Sequence, residues 1–289
     1  MSGRLVVFTD LDGTLLRHED YDWSSARPAL DLLAGRRIPL VIASSKTRSE
    51  VEAWRTRLGI ADPFITENGG ALHVPPGATP VVPAGAVLRS GYWTVVFGLP
   101  LAVLRAALGD LSRELGVPLR GFGDMEASEV ARRTGLSGEA LEQARAREHD
   151  EPFVPARSLS DTEEARLASA ANDRGLRVTR GGRFHHLLGA NSKGTAARAL
   201  LAAYAAQGEP VFSVGLGDGP NDLELLEAMD RSVVVARPDG THAPELRAGL
   251  PRARLTRGVG PDGFTEAVME ELSRPDRPGQ ADRGPGPVP

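Results

Sequence analysis

The chain has 289 residues, enough for one full hydrophobic core and a second, smaller module, and its apolar and charged fractions of 41% and 25% exclude a wholly disordered chain. With 34 Lys and Arg against 38 Asp and Glu, the net charge of -4 provides no basic field for nucleic acid or an anionic membrane surface. Cysteine is absent, which removes disulfides and thiolate chemistry and leaves only oxygen or imidazole to hold a metal.

The first apolar run, Leu5 to Phe8, is too short for a signal-peptide core or a membrane span, so a cytoplasmic protein is expected. Its continuous apolar character predicts a strand buried on both faces, as in a parallel sheet. A helix is predicted over 24–34, with Ser24 or Ser25 as cap and Pro28 in its first turn, followed by a strand at 39–43. A helix at 47–58 stops at Gly59, and a short strand at 63–66 runs into Glu67-Asn68-Gly69-Gly70. Between 75 and 90 the chain turns rich in Pro, Gly and Ala and the βα rhythm breaks, which marks a crossing between domains.

The insert that follows reads as α+β. Helices are predicted at 100–115, 126–134, 137–147 and 160–174, the last opened by a capping-box pattern at Ser160 and Glu163, with strands at 92–97, 153–157, 176–180 and 183–188. The βα rhythm returns with a helix from Lys193 to Gln207, a strand at 210–214, a helix at 221–229 and a strand at 232–236. The expected organisation is a doubly wound parallel-sheet α/β core formed by 1–85 and 189–273, an inserted α+β cap at 86–188, and a tail at 274–289 too rich in Pro, Gly and charge to order itself.

Asp10-Leu11-Asp12-Gly13-Thr14-Leu15 directly follows the first strand, where open α/β sheets place their ligands. Two carboxylates at that spacing can hold a cation, offer an oxygen to an electrophile and leave Asp12 free to move a proton, although a bare pair of Asp residues also suits a solvated turn. Gly217-Asp218-Gly219-Pro220-Asn221-Asp222 is a second polar cluster after a buried strand. Asp218 and Asp222 can share a cation with Asp10, with a Gly-rich turn and helix cap as the bland alternative. Ser44 and Ser45 end the second strand and can grip a phosphate or simply cap a helix; Lys193 can supply a point charge to a phosphoryl group or lie on the surface.

Taken together, the segments at Asp10 to Leu15, Ser44, Lys193 and Gly217 to Asp222 resemble the four motifs of the haloacid-dehalogenase phosphatase superfamily, in order and spacing. The resemblance implies a Rossmann-like core, Asp10 as nucleophile, and Asp12 as general acid and base whose main-chain carbonyl also ligates Mg2+. It further implies Ser44 and Lys193 as phosphate holders, Asp218 and Asp222 as metal-side carboxylates, and a C2-type cap that restricts the substrate to a small molecule. Segments 44–48, 67–70, 129–136, 147–153 and 181–187 are similar to the mannosyl-3-phosphoglycerate phosphatase family, which implies a hydrolase making the compatible solute mannosylglycerate.

Such a substrate needs cations for its glycerate, for which Lys46, Arg48 and Arg183 are candidates, and polar partners for its sugar, with Asn68, Glu148, Asp150 and Glu151 as candidates; Ser45 is expected to touch substrate beside Ser44. The competing expectations are a phosphatase of glucosyl-3-phosphoglycerate or of sucrose or trehalose phosphate, and a non-catalytic phosphosugar sensor. A sensor would more naturally have lost Asp10 or Asp12, and both are present.

Overall fold

A computed structural model describes residues 3–181, 184–206 and 208–274. Arg183, Gln207 and the predicted tail from 275 onward lie outside them. The core begins with β1 (Arg4–Thr9), α1 (Arg27–Gly35), β2 (Leu40–Ala43), α2 (Arg48–Leu58), β3 (Phe64–Thr66), β4 (Ala71–Val74), β5 (Val87–Arg89) and β6 (Tyr92–Val96). The insert holds α3 (Leu101–Leu115), β7 (Leu119–Gly121), α4 (Ala127–Thr134), α5 (Gly138–Arg145), β8 (Glu151–Pro155), α6 (Asp161–Asn172), β9 (Arg177–Gly181) and β10 (Phe184–Leu188). The core resumes with α7 (Lys193–Ala205), β11 (Val211–Gly217), α8 (Leu223–Glu227), β12 (Arg231–Ala236), α9 (Pro244–Gly249), β13 (Arg254–Val259) and α10 (Pro261–Ser273).

One nine-stranded sheet runs in the order β13-β12-β11-β1-β2-β3-β4-β6-β5, and the six strands from β13 to β3 are parallel. Burial on both faces follows from the alternation of β1. Val7 packs with α1 and α10, while Val6 and Phe8 pack with Ala196, Ala197 and Leu200 of α7. The cap has its own antiparallel sheet, β7-β8-β10-β9, and its own core, in which Phe153 of β8 is fully buried against α3 and α6.

The sequence boundary at 85/86 requires correction. β4 pairs antiparallel with β6, and β6 with β5, so both strands after the Pro-rich stretch belong to the nine-stranded sheet. The chain leaves that sheet only between Val96 and Leu101, because Leu72 and Val74 of β4 and Val95 of β6 complete one apolar face with α7. At the first helix, Ser24 sits in a 3-10 turn ahead of α1 and no side chain caps it; the expected Ser cap is replaced by continuous helical winding through Ala26. At α2 the cap is Thr47, whose hydroxyl accepts from the Glu50 N–H while the Glu50 carboxylate accepts from the Thr47 N–H.

None of the helices among the described residues is long and apolar enough to cross a membrane. Replacing Phe153 by Ala, which empties the centre of the cap core, is expected to lower unfolding free energy by about 3–5 kcal/mol; urea denaturation checks it.

Candidate active site

The parallel strands deliver their polar ends to one edge of the sheet: Asp10 follows β1, Ser44 follows β2 and Asp218 follows β11. Lys193, the first residue of α7, is 1% exposed and reaches into this edge. Its Nζ donates to Asp10 Oδ1 at 2.8 Å and to Asp222 Oδ1 at 2.6 Å. The other oxygen of Asp222 accepts from the N–H groups of Asp218 and Gly219, each at 3.1 Å, which folds the acidic loop back upon itself. Thr14 Oγ1 donates to Asp218 Oδ1 at 2.9 Å, and His18 Nε2 stands 3.5 Å from Asp218 Oδ2. Gly13, with φ +85, is required here: a Cβ would lie 2.5 Å from both Asp218 Oδ2 and His18 Nε2.

Asp10, Asp218 and Asp222 are all buried and each offers an oxygen within 4.8 Å of the others. Burial raises the carboxyl pKa of both Asp10 and Asp222, and the single neighbouring ammonium of Lys193 opposes this without cancelling it. Burial depresses Lys193 itself, but Asp10 and Asp222 outweigh that and its net shift is upward. Three carboxylates facing one ammonium leave uncompensated negative charge among hard oxygen donors, a set that fits a divalent cation such as Mg2+.

Beside this cluster, Asp12 Oδ2 lies 2.9 Å from Lys46 Nζ, while Asp12 Oδ1 is buried with no partner among the described residues. Lys46 is 8% exposed, stands 3.9 Å from Glu50 and packs over the Tyr21 ring. Ser44 is fully buried, and its Oγ accepts from the Lys46 N–H at 3.1 Å. The Ser45 carbonyl accepts from Arg147 Nη1 of the cap at 3.0 Å.

A family model described as haloacid dehalogenase-like hydrolase matches residues 7–77. A protein of Methanococcoides burtonii named glucosyl-3-phosphoglycerate/mannosyl-3-phosphoglycerate phosphatase is 37% identical over 271 residues, covering 93% of this chain and 97% of that protein. The chain belongs to the haloacid dehalogenase-like phosphatases. A Persephonella marina protein of the same name is 34% identical, covering 94% of this chain and 99% of the relative. Among solved structures, Thermoplasma acidophilum 0175 superimposes with a TM-score of 0.63 at 15% identity, covering 93% of this chain and 98% of that one, which shows the fold.

In the cap of this haloacid dehalogenase-like phosphatase, several residues expected to meet substrate already have protein partners. Asp150 is fully buried and already accepts from Asn68 Nδ2 at 2.9 Å and from His186 Nδ1 at 2.9 Å, with Arg147 Nη1 at 3.3 Å. Burial pushes its pKa up, but His186 and Arg147 outweigh that and hold it below the usual value. Glu151 is 1% exposed and accepts from the Gly123 N–H at 2.8 Å. Each of these groups already meets a protein partner: Asp150 through both carboxylate oxygens, Glu151 through Oε1, and Asn68 through one N–H and its Oδ1. The Glu148 carboxylate remains largely exposed, and Arg48 stands at the start of α2 with its guanidinium 4.0 Å from Glu52. Arg183 lies outside the described residues.

Sequence reading missed His18, Arg147 and Asn221. His18 follows the first motif with no distinguishing spacing, and Arg147 matters only because the cap folds over the Ser44 loop. It also assigned nothing to Glu67. That carboxylate accepts from the cap N–H groups of Glu148, at 3.0 and 3.1 Å, and of His149, at 2.6 Å.

Burial, opposed by Arg147 and the His149 N–H, raises the Glu67 pKa from 4.5 to about 7. A folded pKa above the unfolded one adds stability that is full below pH 4.5 and is lost as pH rises through about 7. Glu67→Gln is therefore expected to flatten the pH dependence of unfolding across that window, as urea titrations at fixed pH will show.

Proposed function

We propose that the protein hydrolyses a glycosyl-3-phosphoglycerate, mannosyl or glucosyl, to the glycosylglycerate and phosphate, through an aspartyl phosphate on Asp10. The observation that carries this reading is the arrangement of Asp10 and Asp222 on either side of Lys193 with Asp218 in the same cluster, and Asp12 nearby with one unpartnered oxygen. The substrate comes from the names of the two relatives, which match this chain through the cap as well as the core.

In the proposed mechanism an oxygen of Asp10 attacks phosphorus in line, and the bond from phosphorus to the glycerate oxygen breaks. The carboxyl of Asp12 gives its proton to the leaving oxygen through Oδ1, which has no hydrogen-bond partner among the described residues. Asp12 then takes a proton from the water that attacks the acyl phosphate, phosphate departs, and Asp10 is regenerated. Lys193 holds Asp10 in place and offers positive charge to the phosphoryl oxygens; Ser44, rigidly seated by the Lys46 N–H, faces the same group. Asp10, Asp218 and Asp222, with the Asp12 carbonyl, would hold Mg2+, which supplies charge neutralisation for the transferring phosphoryl group.

The test is phosphate release from mannosyl-, glucosyl- and unglycosylated 3-phosphoglycerate, compared with and without Mg2+. Mg2+-dependent turnover with at least ~10-fold preference in kcat/KM for a glycosylated substrate is expected; equal rates on all three would refute a cap-read sugar. Asp10→Asn should lower kcat by ~10⁴-fold or more with the fold retained by circular dichroism, and substantial residual hydrolysis in that variant sinks the covalent route.

A further inference from the structure

The turn from Glu67 to Gly70 touches three of the four motif segments and the cap at once. Its first three residues are left-handed, with φ of 48, 53 and 87. The Glu67 N–H donates to the Lys46 carbonyl and the Asn68 N–H to the Ser44 carbonyl, each at 3.0 Å. Gly69 lies so close to the segment entering α7 that a Cβ would meet Ser192 O at 2.0 Å. Asn191 Nδ2 donates to the Asn68 carbonyl at 3.4 Å.

The Asn68 side chain closes the circuit. Asp150 of the cap, being ionised, can only accept, so Asn68 Nδ2 must face it, at 2.9 Å. The other end, Asn68 Oδ1, then accepts from Asn221 Nδ2 of the acidic loop at 3.1 Å. One planar carboxamide thus uses its donor on the cap and its acceptor on the loop that carries Asp218 and Asp222. Rotating it away from either partner loses the other as well.

We propose that Asn68 is a positioning residue that couples the seating of the cap to the orientation of the Asp218–Asp222 loop. This rests on the phosphatase reading of that loop. With one N–H on Asp150 and one lone pair on Asn221, the orientation of the Asn68 carboxamide is set by protein partners, whatever its second N–H and second lone pair meet. The left-handed backbone and the missing Cβ at Gly69 serve the same end, letting the turn lie against Ser192 while the carboxamide reaches the acidic loop.

The experiment exchanges donor and acceptor. Asn68→Asp sets two carboxylates face to face while keeping an acceptor for Asn221; adding Asp150→Asn restores a donor on the cap side. Hydrogen exchange of segments 146–152 and 217–223 is followed by mass spectrometry, alongside kcat and KM for 4-nitrophenyl phosphate with Mg2+. Asn68→Asp is expected to speed exchange in both segments and to lower kcat, each by about tenfold, with KM moving less than about threefold. The double variant should return both readouts to within about threefold of wild type. A double variant no better than Asn68→Asp, or faster exchange in the cap segment alone, overturns the proposal.

Asn221→Ala, at a half-buried site, approaches from the other end and should speed exchange in 146–152 by about threefold. Unchanged exchange there also overturns it. Exchange does not depend on turnover, so a wild-type chain that hydrolysed no phosphate ester would refute the proposed function and leave this comparison decisive.

Discussion

The buried ammonium of Lys193 is the interaction on which the active edge depends. It stands between Asp10 and Asp222, carboxylates that follow β1 and β11, strands far apart in sequence and neighbours in the sheet. Desolvating a lone ammonium costs several kcal/mol, and only a close, hydrogen-bonded counter-charge offsets that. Two carboxylates offset it, and the third, Asp218, tips the balance to negative. The same arrangement that lets Lys193 be buried therefore leaves room for one more positive charge, so stability and cation affinity are joined in one cluster.

The cap is attached by polar contacts that the fold itself consumes. Glu67 accepts from two cap N–H groups, Asn68 from the acidic loop while donating to Asp150, and Arg147 crosses to Ser45. Buried polar groups that are satisfied by protein give rigidity and register; a buried group left without a partner is the one free to meet a ligand. Asp12 keeps a buried Oδ1 without a hydrogen-bond partner among the described residues, whereas both oxygens of Asp150 accept from protein donors.

Much of this was legible from residues. The buried strand at Leu5 to Phe8 and the polar cluster after it were readable because a two-sided parallel strand must be continuously apolar and its ligands must lie at its end. Asp10, Asp218, Asp222 and Lys193, which the fold brings into one cluster, were singled out because each sits beside a strand or helix start with a distinctive neighbourhood. What failed was three-dimensional. The stretch around Val87 to Arg89 reads as loop because its three residues are all exposed, and it is a strand only through pairing with β6. Asp150 and Glu151 were singled out for sugar on type and position, which do not reveal that each already accepts from a protein donor. Expectations drawn from the core motifs depended on short local sequence, while those drawn from the cap depended on packing between segments far apart in the chain.

β1 lies between β2 and β11, and Arg4 of the first strand pairs with Val211. The whole cap is therefore threaded into the interval between two neighbouring strands of one sheet. During synthesis β2 can dock within the first fifty residues, but the other edge of β1 must wait until the cap and α7 have emerged. Until then an apolar strand with open N–H and C=O groups is presented to other chains. Among the described strands β1 precedes all the others and keeps one edge open until β11 emerges, so a hazard in its biogenesis is intermolecular pairing at that edge.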